Sequence, residues 1–226
     1  MTVIKGPISP VPSWSRDTFG LSSPLVAPYS CQHMTSHPEI NLTEPLRADL
    51  LKVIRDRGYT HSLEPFRLSS GGLSHDYVDM RRAVARGEDL ALAARGVIEA
   101  LDLSKIEFSA IGGMTMGADP VAHAVALIAK TNWFSVRKAE KDHGSKRRIE
   151  GAEIGTGTPV VAFEDTVSTG RSVLEAIDVI ERSGGRVVAA CTLLDRGDRA
   201  TVEFAKRSIP YLALYTYRDL DIEPIA

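Results

Sequence analysis

The sequence predicts an α/β fold, a mostly parallel twisted sheet flanked by helices. Three observations carry this. Short uninterrupted apolar runs, of which Val160–Phe163 is the plainest, suit strands buried on both faces and are too short for helices. These runs alternate with segments of helical periodicity, the arrangement of βαβ units. Finally, 226 residues with 43% hydrophobic side chains suffice for one core of ordinary α/β size plus an extension.

The elements follow in order. Residues 1–42 hold six of the twelve prolines and show no periodicity, so they are expected to be a disordered or loosely packed N-terminal arm. Met34 is a candidate for the natural start, because the folded pattern begins just after it. The folded domain is expected over 43–226. Its first helix spans about Thr43 to Arg57, with Thr43 as N-cap, Pro45 in the first turn, Gly58 beyond the end, and Leu46, Leu50, Val53 and Ile54 as the apolar stripe. Residues 63–82 read as two short strands around a Gly-Gly turn, a small N-terminal hood. A helix follows over 88–101, then a strand over 106–111 ending at Gly112-Gly113. A helix over 117–130 and a strand over 133–136 come next. The polar stretch 137–157 breaks the rhythm. The strand 160–163, a helix to about 183, a strand over 187–194, a helix over 199–206 and a strand over 212–217 complete the chain. Ligands of such sheets lie at the C-terminal edge of the strands, where all the unusual polar loops fall.

Composition excludes several classes. A net charge of −2 offers no global basic field for nucleic acid or an anionic membrane. Cys31 and Cys191 make neither a disulfide framework nor a metal-type spacing, which suits a reducing cytoplasm. No apolar run approaches the length of a membrane span, and no secretory signal is evident.

The segment Val160 to Ser172 carries the chemistry. After the apolar strand come two adjacent carboxylates, Glu164 and Asp165. Then come Thr166, Val167, Ser168, Thr169 and Gly170, followed by Arg171, Ser172 and the helical pattern Val173, Leu174, Ile177, Ile180. A loop opening a helix offers free N–H groups and the positive end of the helix dipole, which suit a phosphate. The carboxylates make sense if they accept hydrogen bonds from hydroxyls a few ångströms away, as on a sugar. Phosphate beside a diol is a ribose 5-phosphate. The bland alternative is a capped strand–turn–helix.

A second segment, Arg137 to Arg148, holds six Lys/Arg and His143 among twelve residues. A solvated surface loop would look the same. Just upstream of a ribose-phosphate site, however, a cationic lid can close over a polyphosphate and neutralise a departing diphosphate.

The strand, acidic pair and Thr/Ser/Gly loop resemble the phosphoribosyl-diphosphate signature of type I phosphoribosyltransferases. The string RKAEKDHGSKRRIEG resembles the catalytic lid of the orotate phosphoribosyltransferases more specifically. Phe66 to Arg81, Ile111 to Val121 and the pair Asp195-Arg196 are similar to further segments of that family, so the resemblance spans about 43–217. It implies the type I phosphoribosyltransferase fold. It also implies transfer of ribose 5-phosphate from phosphoribosyl diphosphate to N1 of orotate, giving orotidine 5′-phosphate and diphosphate in pyrimidine biosynthesis. Glu164 and Asp165 would accept from the ribose hydroxyls, and Thr166 to Ser172 would wrap the 5-phosphate. Arg137, Lys138, Lys141 and His143 would bind diphosphate, with Lys141 foremost in transition-state stabilisation. Asp165 and His143 complete the implied catalytic set. Arg196 would pair with the orotate carboxylate, as a guanidinium suits a planar carboxylate, and Ser168 would touch the same base. Magnesium would be held mainly by substrate and water, with no protein metal cage. A homodimer with shared active sites is implied, because the family's lid reaches the neighbouring subunit.

Departures are visible. Ser69 replaces a common lysine and Gly72 a common arginine. Met114, Thr115 and Met116 stand where some relatives carry Tyr-Lys. Thr115 could still donate its hydroxyl to diphosphate. The pair is Glu-Asp rather than Asp-Asp, and Arg171 is bulkier than usual. Alternatives remain at this point. Arg196 could be an ion-pair partner of Asp195 or Asp198, and His143 a bystander. The acceptor could be another nucleobase, or the chain a regulator that senses phosphoribosyl diphosphate.

Overall fold

In the computed structural model, residues 40–67, 72–139 and 148–225 are described. Packing starts ahead of the first helix: Ile40 and Leu42, at the end of the segment expected to be an arm, are buried in the core. Helix α1 (Leu46–Val53) runs into a π-helical turn, Ile54–Gly58. The hairpin β1 (Tyr59–Arg67) and β2 (Leu73–Val78) forms its own two-stranded antiparallel sheet. Then come α2 (Met80–Ala83), α3 (Gly87–Leu103), β3 (Ala110–Met114), α4 (Asp119–Ala129), β4 (Asn132–Val136), β5 (Ile149–Gly151), β6 (Pro159–Val167), α5 (Arg171–Arg182), β7 (Arg186–Asp195), α6 (Arg199–Lys206) and β8 (Tyr211–Thr216), with a closing 3₁₀ turn, Tyr217–Leu220.

The main sheet has the order β5-β4-β3-β6-β7-β8. Every pairing in it is parallel except β4 with β5. Continuous apolar strands are explained by two cores, one per face. Val161 and Phe163 of β6 and Leu212 and Leu214 of β8 pack with α1, α3 and α4. Val160 and Ala162 of β6 and Tyr211 and Ala213 of β8 pack with α5 and α6. The chain leaves β3 towards β4 on one side and returns as β6 on the other. The crevice beyond β3 and β6 is therefore the topological switch point, where parallel sheets bind ligands.

Several expectations are corrected. Thr43 does not cap α1: the N-cap position is Pro45, and Thr43 instead donates its hydroxyl to Glu99 (3.1 Å), a buried carboxylate of α3 that needs donors. The first strand of the main sheet includes Gly112 and Gly113 rather than stopping at them. A Cβ at Gly112 would sit 1.9 Å from the Phe134 carbonyl oxygen, and one at Gly113 1.8 Å from that of Phe163. Close approach of the neighbouring strands, not a turn, demands these glycines. Strand β6 continues through the acidic pair to Val167, because its ladder with β7 still pairs Glu164 with Thr192 and Val167 with Asp195. Within the polar stretch 137–157, β5 adds a three-residue antiparallel edge.

Candidate active site

The site begins at the end of β6. Glu164 is buried and Asp165 half-buried, and adjacent carboxylates at such depth cannot both ionise cheaply. Burial, then the Asp165 charge, pushes the Glu164 carboxyl well above the usual carboxylate range, with Lys138 opposing. Burial also raises Asp165, while the Thr166 N–H at 2.7 Å and the Arg81 guanidinium hold it back. Gly117, in the loop after β3, abuts the pair. A Cβ there would lie 2.8 Å from Asp165 Oδ1 and 3.0 Å from Glu164 Oε1, so any larger residue would push the carboxylates aside.

Beyond the pair, Ser168, Thr169 and Gly170 form the turn into α5. Gly170 holds φ +78°, a left-handed conformation suited to glycine, and no side chain among the described residues caps the helix. The first N–H groups of α5 are left for a ligand. Beside the same loop, the Thr166 hydroxyl is buried without a hydrogen-bond partner among the described residues. The residues Thr166 to Ser172 divide by role. Val167 faces the core and its carbonyl accepts from the Arg196 N–H (2.7 Å), whereas Arg171 and Ser172 belong to the exposed first turn of the helix.

Two adjoining lobes of about 980 and 890 Å³ meet at Glu164, Thr166 and Ser172. The second lobe is lined by Thr166 to Ser172. Arg81, Thr115, Gly117, Arg137, Lys138 and Asp165 lie on the walls of the first. Thr115 donates its hydroxyl to Asp119 Oδ2, and Ser135 donates to Asp119 Oδ1, both at 2.7 Å. The Thr115 proton is thus committed, and the hydroxyl presents an acceptor to the cleft.

The base of the cationic segment is well defined. The Arg137 N–H donates to the Arg148 carbonyl (2.8 Å), and Arg148 returns Nε to the Arg137 carbonyl (2.8 Å). Nη2 of Arg148 reaches the Lys138 carbonyl (3.1 Å) and Glu175 of α5 (2.6 Å). Arg148 is therefore a clasp that ties Arg137 and Lys138 to α5. Arg137 faces Glu150 at 3.6 Å, and Lys138 is exposed. Lys141 and His143 lie outside the described residues, as does Ser69.

Arg196 is 3% exposed, at the end of β7, and lines neither lobe. It is covered by the β1–β2 hairpin: Nη1 donates to the Asp76 carbonyl (2.7 Å). Its Nε and Nη2 are buried and have no partner among the described residues. Burial pulls its pKa down, while Asp76 and Tyr59 oppose. The neighbouring Asp195 is engaged elsewhere, accepting from Tyr211 Oη (2.8 Å) and the Gly197 N–H (2.9 Å). Asp198 accepts from Tyr217 Oη (3.2 Å) and lies 3.4 Å from an Arg218 nitrogen. An unpaired buried guanidinium edge is costly unless a ligand anion completes it. Because the edge is enclosed, a ligand reaches it only when the hairpin or its surroundings shift.

Arg81, Gly117, Asp119 and Arg148 were not singled out by sequence reasoning. Only the glycine carried a local signal, as the residue ending the loop after β3.

The mostly parallel sheet, with its switch-point crevice and buried acidic pair, has the fold of the type I phosphoribosyltransferases. No protein-family model matches the chain. It is 40% identical over 185 residues to orotate phosphoribosyltransferase of Streptomyces coelicolor, covering 79% of this chain and 98% of that protein. The crystal structure of Mycobacterium tuberculosis H37Rv orotate phosphoribosyltransferase with Fe(III) dicitrate matches at 36% identity and a TM-score of 0.69, over 79% of this chain and all of that one. The structure of the same enzyme with 5-phospho-α-D-ribosyl 1-diphosphate matches at 33% identity and 0.65, again over 79% and 100%. The chain belongs to the orotate phosphoribosyltransferase family.

Proposed function

We propose that this protein transfers ribose 5-phosphate from phosphoribosyl diphosphate to N1 of orotate, forming orotidine 5′-phosphate and diphosphate. The observation that carries the reading is the meeting of the Glu164–Asp165 pair with the uncapped start of α5, a diol acceptor beside a phosphate seat. The pair accepts hydrogen bonds from the ribose hydroxyls. Free N–H groups of α5, with Ser168 and Thr169, hold the 5-phosphate. This fixes the anomeric carbon between diphosphate on the Arg137–Lys138 side and the base on the Arg196 side. The C1–O bond to diphosphate breaks and carries its electron pair away. The anomeric carbon gains oxocarbenium character, and N1 of the orotate anion closes on it. No strong general base is needed, so positioning and leaving-group stabilisation carry the rate. Lys141 and His143 are assigned to the departing diphosphate on the strength of the lid motif. Arg196 offers its free edge to the orotate carboxylate, and Ser168 contacts the base.

Magnesium fits the hard oxygen donors Glu164 and Asp165, and among the described residues no group of three or more His, Cys, Asp or Glu forms a metal cage. The ion would be held chiefly by diphosphate, ribose oxygens and water, where it supplies charge neutralisation. The lid motif supports a homodimer with shared sites. No helix among the described residues is long and apolar enough to cross a membrane, and the buried free thiol of Cys191 suits the cytoplasm.

The test is loss of orotate absorbance on mixing protein, phosphoribosyl diphosphate and magnesium. Loss that stops with EDTA is expected. An unchanged signal, with diphosphate released when uracil or adenine is offered instead, would replace the acceptor.

A further inference from the structure

The hairpin above Arg196 holds a polar cluster that the reaction as described leaves unused. Asp76 on β2 is directly opposite His61 on β1, and Tyr59 lies two residues before His61, so all three side chains share one face of the ribbon. Asp76 Oδ1 accepts from Tyr59 Oη at 2.8 Å and lies 2.9 Å from His61 Nδ1, which must carry its proton to donate. Ser74 adds two bonds: its Oγ accepts from the Asp76 N–H (3.0 Å) and donates to the Asp76 carbonyl (3.1 Å). Burial raises the Asp76 carboxyl. The His61 and Tyr59 bonds, with the charges of His61 and Arg196, outweigh it and hold the group below the usual carboxylate range. Asp76 is thus fixed at its N–H, its carboxylate and its carbonyl. That carbonyl is the acceptor for Arg196 Nη1.

We propose that Tyr59, His61 and Asp76 are positioning residues that aim Arg196, and through it set the preference for a carboxylated base. With Nη1 occupied by the Asp76 carbonyl, the edge left free is the one formed by Nε and Nη2. These two N–H groups are parallel and match both oxygens of one carboxylate. A guanidinium released from Asp76 could rotate and pair end-on, or find other acceptors, and would lose this selectivity. The hairpin needs such pinning, because an isolated two-stranded ribbon is marginal and much of this one is exposed. The proposal rests on the reading of Arg196 as the base-binding cation.

The test uses Asp76→Asn, Tyr59→Phe and Arg196→Gln, singly and with Asp76→Asn and Arg196→Gln combined. KM is measured for orotate and for phosphoribosyl diphosphate, with the orotate-to-uracil selectivity of kcat/KM. Asp76→Asn is expected to raise the orotate KM about tenfold and lower the selectivity similarly, with the phosphoribosyl diphosphate KM within about twofold. Tyr59→Phe should shift the same quantities in the same direction by a smaller factor. Added to Arg196→Gln, Asp76→Asn should cost nothing more, because its effect runs through that guanidinium. Equal changes in both KM values, or full additivity with Arg196→Gln, would make the cluster merely structural and overturn the proposal. An orotate KM unmoved by Arg196→Gln would remove the base-site reading itself, and the proposal with it.

Discussion

Glu164 shows how burial and function conflict at a single residue. Its carboxyl is raised because the folded chain keeps it from water beside Asp165. A carboxyl raised in the folded state contributes stability at low pH, and that contribution is lost as pH rises through the raised value. Ionising the pair is therefore a stability cost, which under the proposed function sugar hydroxyls and a cation would offset. Glu164→Gln should raise Tm by about 2–4 °C, the equivalent of ~1 kcal/mol in a chain of this size, while raising the phosphoribosyl diphosphate KM at least ~10-fold. Calorimetry and kinetics on the same preparation check both; a lower Tm would show the carboxylate to be structural. The same shift fixes the acid limb of kcat/KM for phosphoribosyl diphosphate. Activity should begin to fall at a pH above the ordinary carboxylate range, and the Gln variant should move that limb. Lys141→Ala should lower kcat by ~10²–10³, the scale for a charged transition-state contact. Turnover within about twofold of the unaltered enzyme would remove that role.

At the scale of elements, the loops matter through their anchoring. Arg148 binds the Arg137 and Lys138 carbonyls and Glu175 of α5, so it couples the cationic segment to that helix. Arg148→Ala should lower kcat ~10-fold with little change in orotate KM, since it disturbs where the segment starts rather than the base pocket. An orotate KM that rises while kcat holds would contradict this. The order of strands and helices was legible in the sequence because buried parallel strands and amphipathic helices leave distinct periods. Helix α6 falls where the pattern 199–206 placed it. The misses have local causes. Strand β5 is three residues long with one strongly apolar member, too short for any period. The glycines of β3 read as a strand end because their cause, the carbonyl oxygens of Phe134 and Phe163, lies in other strands. At the site, Glu164, Asp165 and the loop after them were legible as adjacent residues in one motif. The Asp119–Thr115–Ser135 and Tyr59–His61–Asp76 clusters were not, because each is assembled from segments whose meeting only the fold supplies.

For the whole molecule, the sheet order places the reactive groups. Reversal between β3 and β6 opens one crevice, and it receives the loop after β3, the acidic pair and the start of α5 together. The proposed homodimer with shared sites is open to a mixing test. Mixing inactive Lys141→Ala with inactive Asp165→Asn, after subunit exchange, should restore up to about one quarter of full activity if sites are shared across a two-fold dimer. Mixtures that stay silent although hybrids form would confine each site to one chain. The most direct test of the account is diphosphate release with orotate, uracil and adenine offered in parallel to the unaltered enzyme and to Arg196→Gln. The account predicts release with orotate alone, falling ~10²-fold or more in kcat/KM when the guanidinium is removed. Equal release with uracil, or an Arg196→Gln enzyme as selective as the original, would contradict it.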